Sequence, residues 1–305
     1  PPPPLASESS KRYFSKYPFG EPTYTILTSR GCPFACTYCA NVRHIGMYGR
    51  IPMRFLSVKR LIDEMEYTIK HFGFIKYVAF GDDDFLVRDK KQLEDFARQY
   101  KERVGLPFAF CISAPTFRRE KMEILLDTGL LRLVQIGVQS GSQRVLDEVF
   151  ERKIKVSKTK EVLAQLTPYF DKYRFTVLLD FITDNPYETK DDIIQTYEYI
   201  IAVPRFVRIN HFLLAFFPGS PIYDRAVKDG IVGESPFENA KRFSRTKGVL
   251  SYQVNYESLL VRAAVFLVNN PSLRRCFPTA VLRMIASRPV RKVASLIPFE
   301  GYVYS

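Results

Sequence analysis

The chain has 305 residues, 46% of them hydrophobic and 25% charged, which are the proportions of an ordinary globular protein. No apolar run approaches the ~18 residues that cross a bilayer, and the first residues lack a signal-peptide pattern, so membrane-spanning and secreted classes are not expected. Five cysteines, an odd number, argue against a disulfide framework and predict a reducing, cytoplasmic compartment. The net charge of +13 is uneven, because from Lys241 onward eleven lysines and arginines oppose only two glutamates.

The residue pattern predicts three parts of the chain. Residues 1–20 begin with four prolines and predict an extended linker. Residues 21–235 alternate apolar β-type runs with amphipathic helical segments. Residues 236–305 lose this rhythm and predict a small, basic domain of short helices, among them "YESLLVRAAVFLVNN" and "PTAVLRMIASRPVRKVASLI".

Six β-branched and aromatic runs of the central part predict strands. They are residues 23–29, 74–80, 108–113, 133–140, 174–183 and 209–217. Several are almost continuously apolar, which is typical of strands that are covered on both faces.

Helical periodicity fills the intervals between these runs. Two apolar stripes have helical spacing: Val58, Leu61, Ile62, Met65 and Ile69 in one segment, and Leu93, Phe96, Ala97, Tyr100 and Val104 in the other. Ser57, Asp89 and Thr189 are the expected N-caps.

Six strand–helix units predict a parallel sheet with right-handed crossovers. Six units are too few for a complete eight-unit barrel. The predicted fold is therefore α/β, a partial (β/α)6 TIM-like barrel with a small C-terminal helical domain.

Three of the five cysteines lie within "GCPFACTYC", directly after the first predicted strand: Cys32, Cys36 and Cys39. Functional side chains gather at the carboxyl ends of parallel strands, and thiolates suit iron–sulfur clusters or zinc. Three thiolates would hold three irons of a 4Fe–4S cluster and leave the fourth iron open for chemistry. The alternative is a zinc site completed by His44 or Cys111, although zinc cysteines usually come in separated pairs.

The stretch "CPFACTYC" resembles the signature loop of the radical S-adenosylmethionine (SAM) enzymes, including the aromatic Tyr38 before the third cysteine. The resemblance implies a 4Fe–4S cluster on the three cysteines, whose open iron chelates the methionyl amine and carboxylate of SAM. It also implies reductive cleavage of SAM to a 5′-deoxyadenosyl radical, which abstracts a hydrogen atom from a substrate.

Other motifs extend this resemblance over residues 21 to about 230. "FGDDDF" resembles the family's motif that binds the methionyl amine, which implies roles for Gly81, Asp82 and Asp83. A helix-capping acidic loop is the alternative. Ser113, at the end of the third strand, would face the cofactor or cap the next turn.

The fourth and fifth strands would supply the remaining contacts to SAM. In "IGVQSGSQRVLDEVFERK", Gln139 occupies the place of a residue that contacts the ribose, and Arg152 resembles a basic residue that meets the SAM carboxylate. Their alternatives are a strand-end hydrogen bond and a solvated helix charge. In "LLDFITDNPYETKDD", the backbone near Ile182 would pass the adenine, while Glu188 and Thr189 are expected to start a helix.

Within the family, "GVQSGS", "NPYET" and "FFPGSPIY" look most like the cobalamin-dependent subgroup. Those enzymes carry a cobalamin-binding domain before the radical domain, and these 305 residues do not include one. The sequence is then either a fragment of such an enzyme, with cobalamin as a further cofactor, or a natural variant without that domain, and methyl transfer is one of several outcomes. Methylthiotransferase-like modification of RNA or protein is a second, although it usually needs further upstream cysteines. A non-catalytic zinc or iron–sulfur interaction module is a third.

The expected partners are a flavodoxin- or ferredoxin-type electron donor and an unidentified substrate. Asp180, Asn210 and His211 lie on strands whose inward residues would face the substrate cavity, although His211 is more often a packed strand residue. The basic tail suggests peripheral contact with an anionic membrane and a lipid-like substrate, or an RNA-facing surface. A solvated helical cap is the simplest interpretation of the tail.

Overall fold

A computed structural model of the chain describes residues 11–12, 14–49, 53–233 and 255–296. Its strands are β1 (Thr23–Ile26), β2 (Ser29–Arg30), β3 (Arg54–Phe55), β4 (Tyr77–Phe80), β5 (Phe108–Ile112), β6 (Leu131–Gln139), β7 (Thr176–Thr183) and β8 (Val207–Leu213). Six of them form one sheet in the order β1-β4-β5-β6-β7-β8, and β1, β4, β5 and β6 pair in parallel. β2 and β3 form a separate antiparallel pair. The predicted α/β fold of a partial barrel is confirmed.

Helices occupy the intervals between the strands. They are α1 (Ala40–Tyr48), α2 (Val58–His71), α3 (Lys90–Arg103), α4 (Arg119–Leu126), α5 (Val156–Tyr173), α6 (Lys190–Ile201), α7 (Pro221–Lys228), α8 (Tyr256–Asn269), α9 (Pro271–Arg275), α10 (Thr279–Ile285) and α11 (Arg288–Ala294). A single π-helical turn spans Val145–Val149. No described helix is long and apolar enough to cross a membrane.

The predicted N-caps Ser57, Asp89 and Thr189 are confirmed. The Ser57 hydroxyl accepts a hydrogen bond from the third N–H of α2. Asp89 and Thr189 form reciprocal capping boxes with Gln92 and Asp192, so each satisfies two backbone donors that a helix start leaves unpaired.

The chain divides into two compact units, of which the first comprises Pro1–Pro33, Pro52–Gly137 and Glu161–Leu178. Aromatic side chains fill its core and meet mostly edge to face. They are Phe80, Phe85, Phe96, Tyr100, Phe108 and Phe110, all at most 2% exposed. Burying each such side chain stabilises the fold by roughly 1.5–3 kcal/mol.

The second unit comprises Phe34–Ile51, Val138–Lys160 and Leu179–Ser305. Its core surrounds the π-helical turn and includes Phe150, Phe216 and Ile222. Helix α8 packs along α6 and β8. The separate C-terminal domain at 236–305 remains a prediction, and residues 1–10, 234–254 and 297–305 lie outside the described residues.

The segment after β6 comes unusually close to α6. The Gly141 N–H donates to the Thr196 hydroxyl over 2.9 Å. A Cβ atom on Gly141 would lie 2.5 Å from the Thr196 Cα and 2.6 Å from the Gln195 carbonyl oxygen. Both obstacles are backbone atoms that cannot rotate away, so only glycine fits.

We therefore expect Gly141→Ala to lower the free energy of unfolding by about 1–3 kcal/mol or more, because the helix must shift to admit the methyl group. Urea titration monitored by circular dichroism measures the change. Gly73→Ala is the control, since a Cβ there meets nothing within 4 Å. An equal loss from both substitutions would contradict the close approach.

Candidate functional site

The three clustered cysteines follow β2 in a loop that ends in α1. Gly31 has φ of +101°, a left-handed conformation that glycine adopts without strain, directly before Cys32. The Cys39 N–H donates to the Cys36 carbonyl oxygen over 3.0 Å, and Cys39 is the N-cap residue of α1. Cys36 is buried, whereas Cys32 and Cys39 are partly exposed.

Thr37, between the cysteines, fastens this loop to the π-helical turn. Its hydroxyl donates to the Val149 carbonyl oxygen over 2.7 Å, and its N–H donates to the Phe150 carbonyl oxygen over 3.0 Å. π-Helical turns leave carbonyl groups available for such contacts and occur often at functional sites. The position of Cys36 is therefore set by a segment far along the chain.

Arg152 and Tyr38 lie beside the buried thiol. An Arg152 Nη1 group is 3.9 Å from the Cys36 sulfur and donates to the Tyr38 hydroxyl over 2.6 Å. Tyr38 meets Phe150 edge to face at 4.8 Å. Burial raises the pKa of Tyr38, which keeps the phenol neutral. The structure thus brings together Cys36, Tyr38 and Arg152, three of the predicted site residues.

The structure gives no support to the alternative zinc site completed by His44 or Cys111. Among the described side chains, no three His, Cys, Asp or Glu residues converge as ligands of one metal ion. His44 is exposed on α1, and Cys111 lies within β5 opposite Gln135. A 4Fe–4S cluster takes one thiolate at each of three separate irons. The guanidinium of Arg152 beside Cys36 supplies a positive charge next to such an anionic group.

Asp82, at the end of β4, holds the chain where it leaves β1. One carboxylate oxygen accepts the N–H groups of Thr28 over 2.5 Å and Ser29 over 2.8 Å. The other accepts from the Thr28 hydroxyl and from Arg88 Nη1, which is 3.1 Å away. Arg88 itself packs against the rings of Phe55 and Phe85. Asp82 is 1% exposed, so its carboxylate is committed to this buried network.

The two following aspartates differ in exposure. Asp83 is exposed, whereas Asp84 is fully buried. Asp84 accepts hydrogen bonds from the Ser113 N–H over 3.1 Å and from the Thr116 hydroxyl over 2.7 Å. Burial raises the pKa of Asp84 to about 6, against the hydrogen bonds that favour its charge. Ser113 therefore contributes its N–H to joining the ends of β4 and β5.

Gln139 ends β6 with φ of +74°, a left-handed conformation that is uncommon outside glycine. Such strained residues cluster at ligand sites, where the surroundings enforce them. The serines that follow are buried: Ser140 contacts Glu188 and Thr196, and Ser142 donates to Asp192 over 2.5 Å.

The Asp192 carboxylate accepts hydrogen bonds from several side chains of this region. Arg144 Nη2 lies 2.5 Å from its carboxylate, and Ser142 and Thr189 also donate to it. Although burial opposes its charge, these hydrogen bonds lower the pKa of Asp192 to about 2. Glu188 precedes the helix and is buried, and the desolvation raises its pKa to about 8. The Ile182 side chain packs against the same core as Tyr38.

A small pocket lies beside the ends of β7 and β8. Its lining includes Thr183, Glu188, His211 and Arg262. His211 bonds to Thr183, while Asn210 donates to Asp180 over 3.0 Å. Because successive strand residues alternate between faces, His211 does not share a face with Asn210. Burial lowers the pKa of His211, which favours its neutral form.

Sequence reasoning missed Arg88 and Asp84 as parts of the site. Arg88 could not be found by helix or strand spacing, because Asp82 is six positions away along an irregular segment and Thr28 is 60 positions away. The triple aspartate was visible, but its division into two buried residues and one exposed residue depends on tertiary contacts.

Comparison with known proteins gives a family match and several relatives. Residues 26–200 match the model of the Radical SAM superfamily, which is more than half of the chain. An uncharacterised methyltransferase of Pyrococcus horikoshii is 26% identical over 214 residues, 70% of this chain and 44% of that protein. Cytidylyl-2-hydroxyethylphosphonate methyltransferase of Streptomyces wedmorensis is 24% identical over 245 residues, 79% of this chain and 44% of the relative.

A solved structure supports the fold. The radical SAM methyltransferase TsrM of Kitasatospora setae, solved with cobalamin and a [4Fe–4S] cluster, matches 69% of this chain and 40% of its own. The TM-score is 0.55 at 15% identity. The chain spans less than half the length of each of these three relatives.

Glu188 predicts a pH dependence of stability. The folded protein keeps the carboxyl proton up to pH about 8, whereas the ordinary value is 4.5. The protonated Glu188 therefore stabilises the folded protein fully below pH 4.5, the ordinary pKa. This contribution to the free energy of unfolding is lost as the pH rises toward the raised pKa of about 8, by up to ~1.4 kcal/mol per pH unit. We expect Glu188→Gln, which stays neutral, to remove this part of the slope in urea titrations. The exposed Glu102, changed to Gln, should leave it unaltered; identical slopes for all three proteins would refute the assignment.

Proposed function

Since the chain belongs to the radical SAM superfamily, we propose that it binds a 4Fe–4S cluster through Cys32, Cys36 and Cys39. When bound, the cluster supplies the electron that cleaves SAM to a 5′-deoxyadenosyl radical. The observation that carries the proposal is the fixed loop, in which the backbone of Thr37 and the charge of Arg152 surround the buried Cys36.

The protein's own groups would bind and orient SAM. Asp83 is the favoured partner of the methionyl amine, because its side chain is exposed whereas that of Asp82 is buried. Gly81 lies next to them, and its N–H donates to the Ile26 carbonyl oxygen. A carboxylate suits a cationic amine through a charge-assisted hydrogen bond.

The rest of the predicted set remains part of this proposal. Arg152 would balance negative charge at the cluster and the SAM carboxylate, with Tyr38 fixing its orientation. Gln139, held in a strained conformation, and Ser113 would contact the ribose side, and Ile182 would pack against the adenine. Excluding water from such a surface strengthens each of these polar contacts.

Methyl transfer is the favoured outcome of the reaction. The two relatives found by sequence similarity are named methyltransferases, and the solved structure with a similar fold is also that of a methyltransferase. Cobalamin is then a further cofactor of the proposal. The partners that complete the proposal are a flavodoxin- or ferredoxin-type electron donor and a lipid-like substrate. Thiols that must stay reduced favour the cytoplasm, with the basic tail in peripheral contact with an anionic membrane.

The ligand assignment predicts a sharp difference between cysteines. After anaerobic reconstitution the protein should hold about four irons and four sulfides per chain, as three-thiolate ligation of one cluster requires. Cys36→Ala should lower the iron content severely and abolish formation of 5′-deoxyadenosine, measured by chromatography after dithionite reduction.

Cys276→Ala is the matched control, because Cys276 is exposed near the end of α9. It should retain both iron and product. Stoichiometric zinc in place of iron, or equal losses from the two substitutions, would overturn the proposal.

The role of Asp83 is tested separately by binding. Asp83→Asn should weaken SAM binding about tenfold or more, because a charge-assisted hydrogen bond contributes roughly 1.5–3 kcal/mol. Equilibrium dialysis of the reconstituted protein with radiolabelled SAM measures this without turnover. Glu94→Gln, an exposed carboxylate on α3, should leave the affinity unchanged. Unaltered binding by Asp83→Asn would remove this residue from the site.

A further inference from the structure

Within the second unit, the helices α9, α10 and α11 are held by one side. The Tyr197 hydroxyl of α6 donates to the Leu282 carbonyl oxygen over 2.7 Å, and Arg291 Nη1 lies 3.0 Å from the Asp191 carboxylate. The Leu282 and Ala294 side chains are buried. The same supporting helix, α6, thus holds both α10 and α11 and fixes which side of each is turned outward.

The opposite side, here called the outer face, is rich in exposed apolar groups. Its members are 41–82% exposed and are Leu273, Phe277, Val281, Met284, Val293 and Leu296. Val281 and Met284 are three residues apart within α10, so they share one side of that helix. Single exposed apolar residues are normal on a protein surface, but here six lie within 24 residues of sequence.

The charge of the outer face has one sign. Arg275, Arg283, Arg288 and Lys292 are exposed, and the sequence has no Asp or Glu between Glu257 and Glu300. Arginine and lysine beside exposed aliphatic groups are typical of helices that lie at a lipid–water boundary.

We propose that the outer face lies flat on an anionic lipid bilayer, with its apolar side chains among the acyl chains and its cations at the lipid phosphates. Free phosphate or nucleic acid would satisfy the cations alone and leave the aliphatic side chains exposed to water. The helices have only five to seven residues, so they rest on the surface rather than cross it. This deepens the membrane contact of the proposed function and does not depend on the cluster or on SAM.

Vesicle sedimentation of the full chain tests the proposal. The protein should pellet with vesicles of phosphatidylcholine and phosphatidylglycerol in equal amounts, and much less with pure phosphatidylcholine. Each cation near an anionic surface contributes roughly fivefold in partitioning, so Arg283→Ala with Lys292→Ala should reduce binding about 25-fold. Added salt should reduce binding in the same direction.

A second variant tests the apolar part. Met284→Ser with Val293→Ser should weaken binding at every salt concentration, and, because both side chains are more than 60% exposed, it should leave the thermal unfolding temperature unchanged. The matched control is Tyr67→Ser with Lys101→Ala, which removes an exposed apolar group and a cation from α2 and α3. The control should bind as the unaltered chain does.

Three results would overturn the proposal. The first is no binding to anionic vesicles, and the second is an equal loss in the control. The third is dimerisation in analytical ultracentrifugation that the Met284→Ser, Val293→Ser variant abolishes, since the outer face would then pair two copies of the chain. Each of these leaves the tests of iron content and 5′-deoxyadenosine formation unaffected.

Discussion

The buried carboxylate of Asp82 is the constraint on which the first unit's part of the site depends. A parallel sheet leaves backbone N–H groups unpaired where its strands end, and those of Thr28 and Ser29 lie too deep for water to reach. Asp82 accepts both, and a carboxylate can be buried there because Arg88 balances its charge. Removing one partner of such a pair typically costs 3–5 kcal/mol, since the other charge is left buried.

In the second unit, different groups pair with the buried backbone. Here the loop that carries Cys36 is fastened by Thr37 to carbonyl groups that the π-helical turn exposes. Asp192 plays the part of the buried acceptor and is balanced by Arg144. In both units a buried carboxylate is paired with arginine and accepts backbone N–H groups. These bonds therefore fix the positions of the site's exposed side chains, although those side chains lie on loops.

Local signals determined what could be predicted from the sequence. The six strands were found because their apolar runs are continuous, and the caps Ser57, Asp89 and Thr189 were found because a cap acts on residues three positions away. The cysteine loop was recognisable from spacing alone. The α/β fold followed from the alternation of these elements.

Long-range pairing limited the rest. The commitment of Asp82 to Arg88 and Thr28 depends on contacts that no spacing rule contains. The face occupied by His211 depended on the register of β8, because a shift of one residue reverses every side chain. The outer face of α9–α11 became visible only when burial separated Leu282 from Val281 and Met284.

The two hydrogen bonds of Thr37 make the conformation of the signature loop depend on a distant part of the chain. A synthetic peptide of residues 28–50 would contain all three thiols, yet it would lack the carbonyl oxygens of Val149 and Phe150 and the guanidinium of Arg152. The thiols of such a peptide would explore many separations, and each ordered residue costs roughly 1–2 kcal/mol of backbone entropy. The sequence motif alone therefore does not fix the positions of the three thiols. The groups that fix the loop come from residues more than a hundred positions later in the chain.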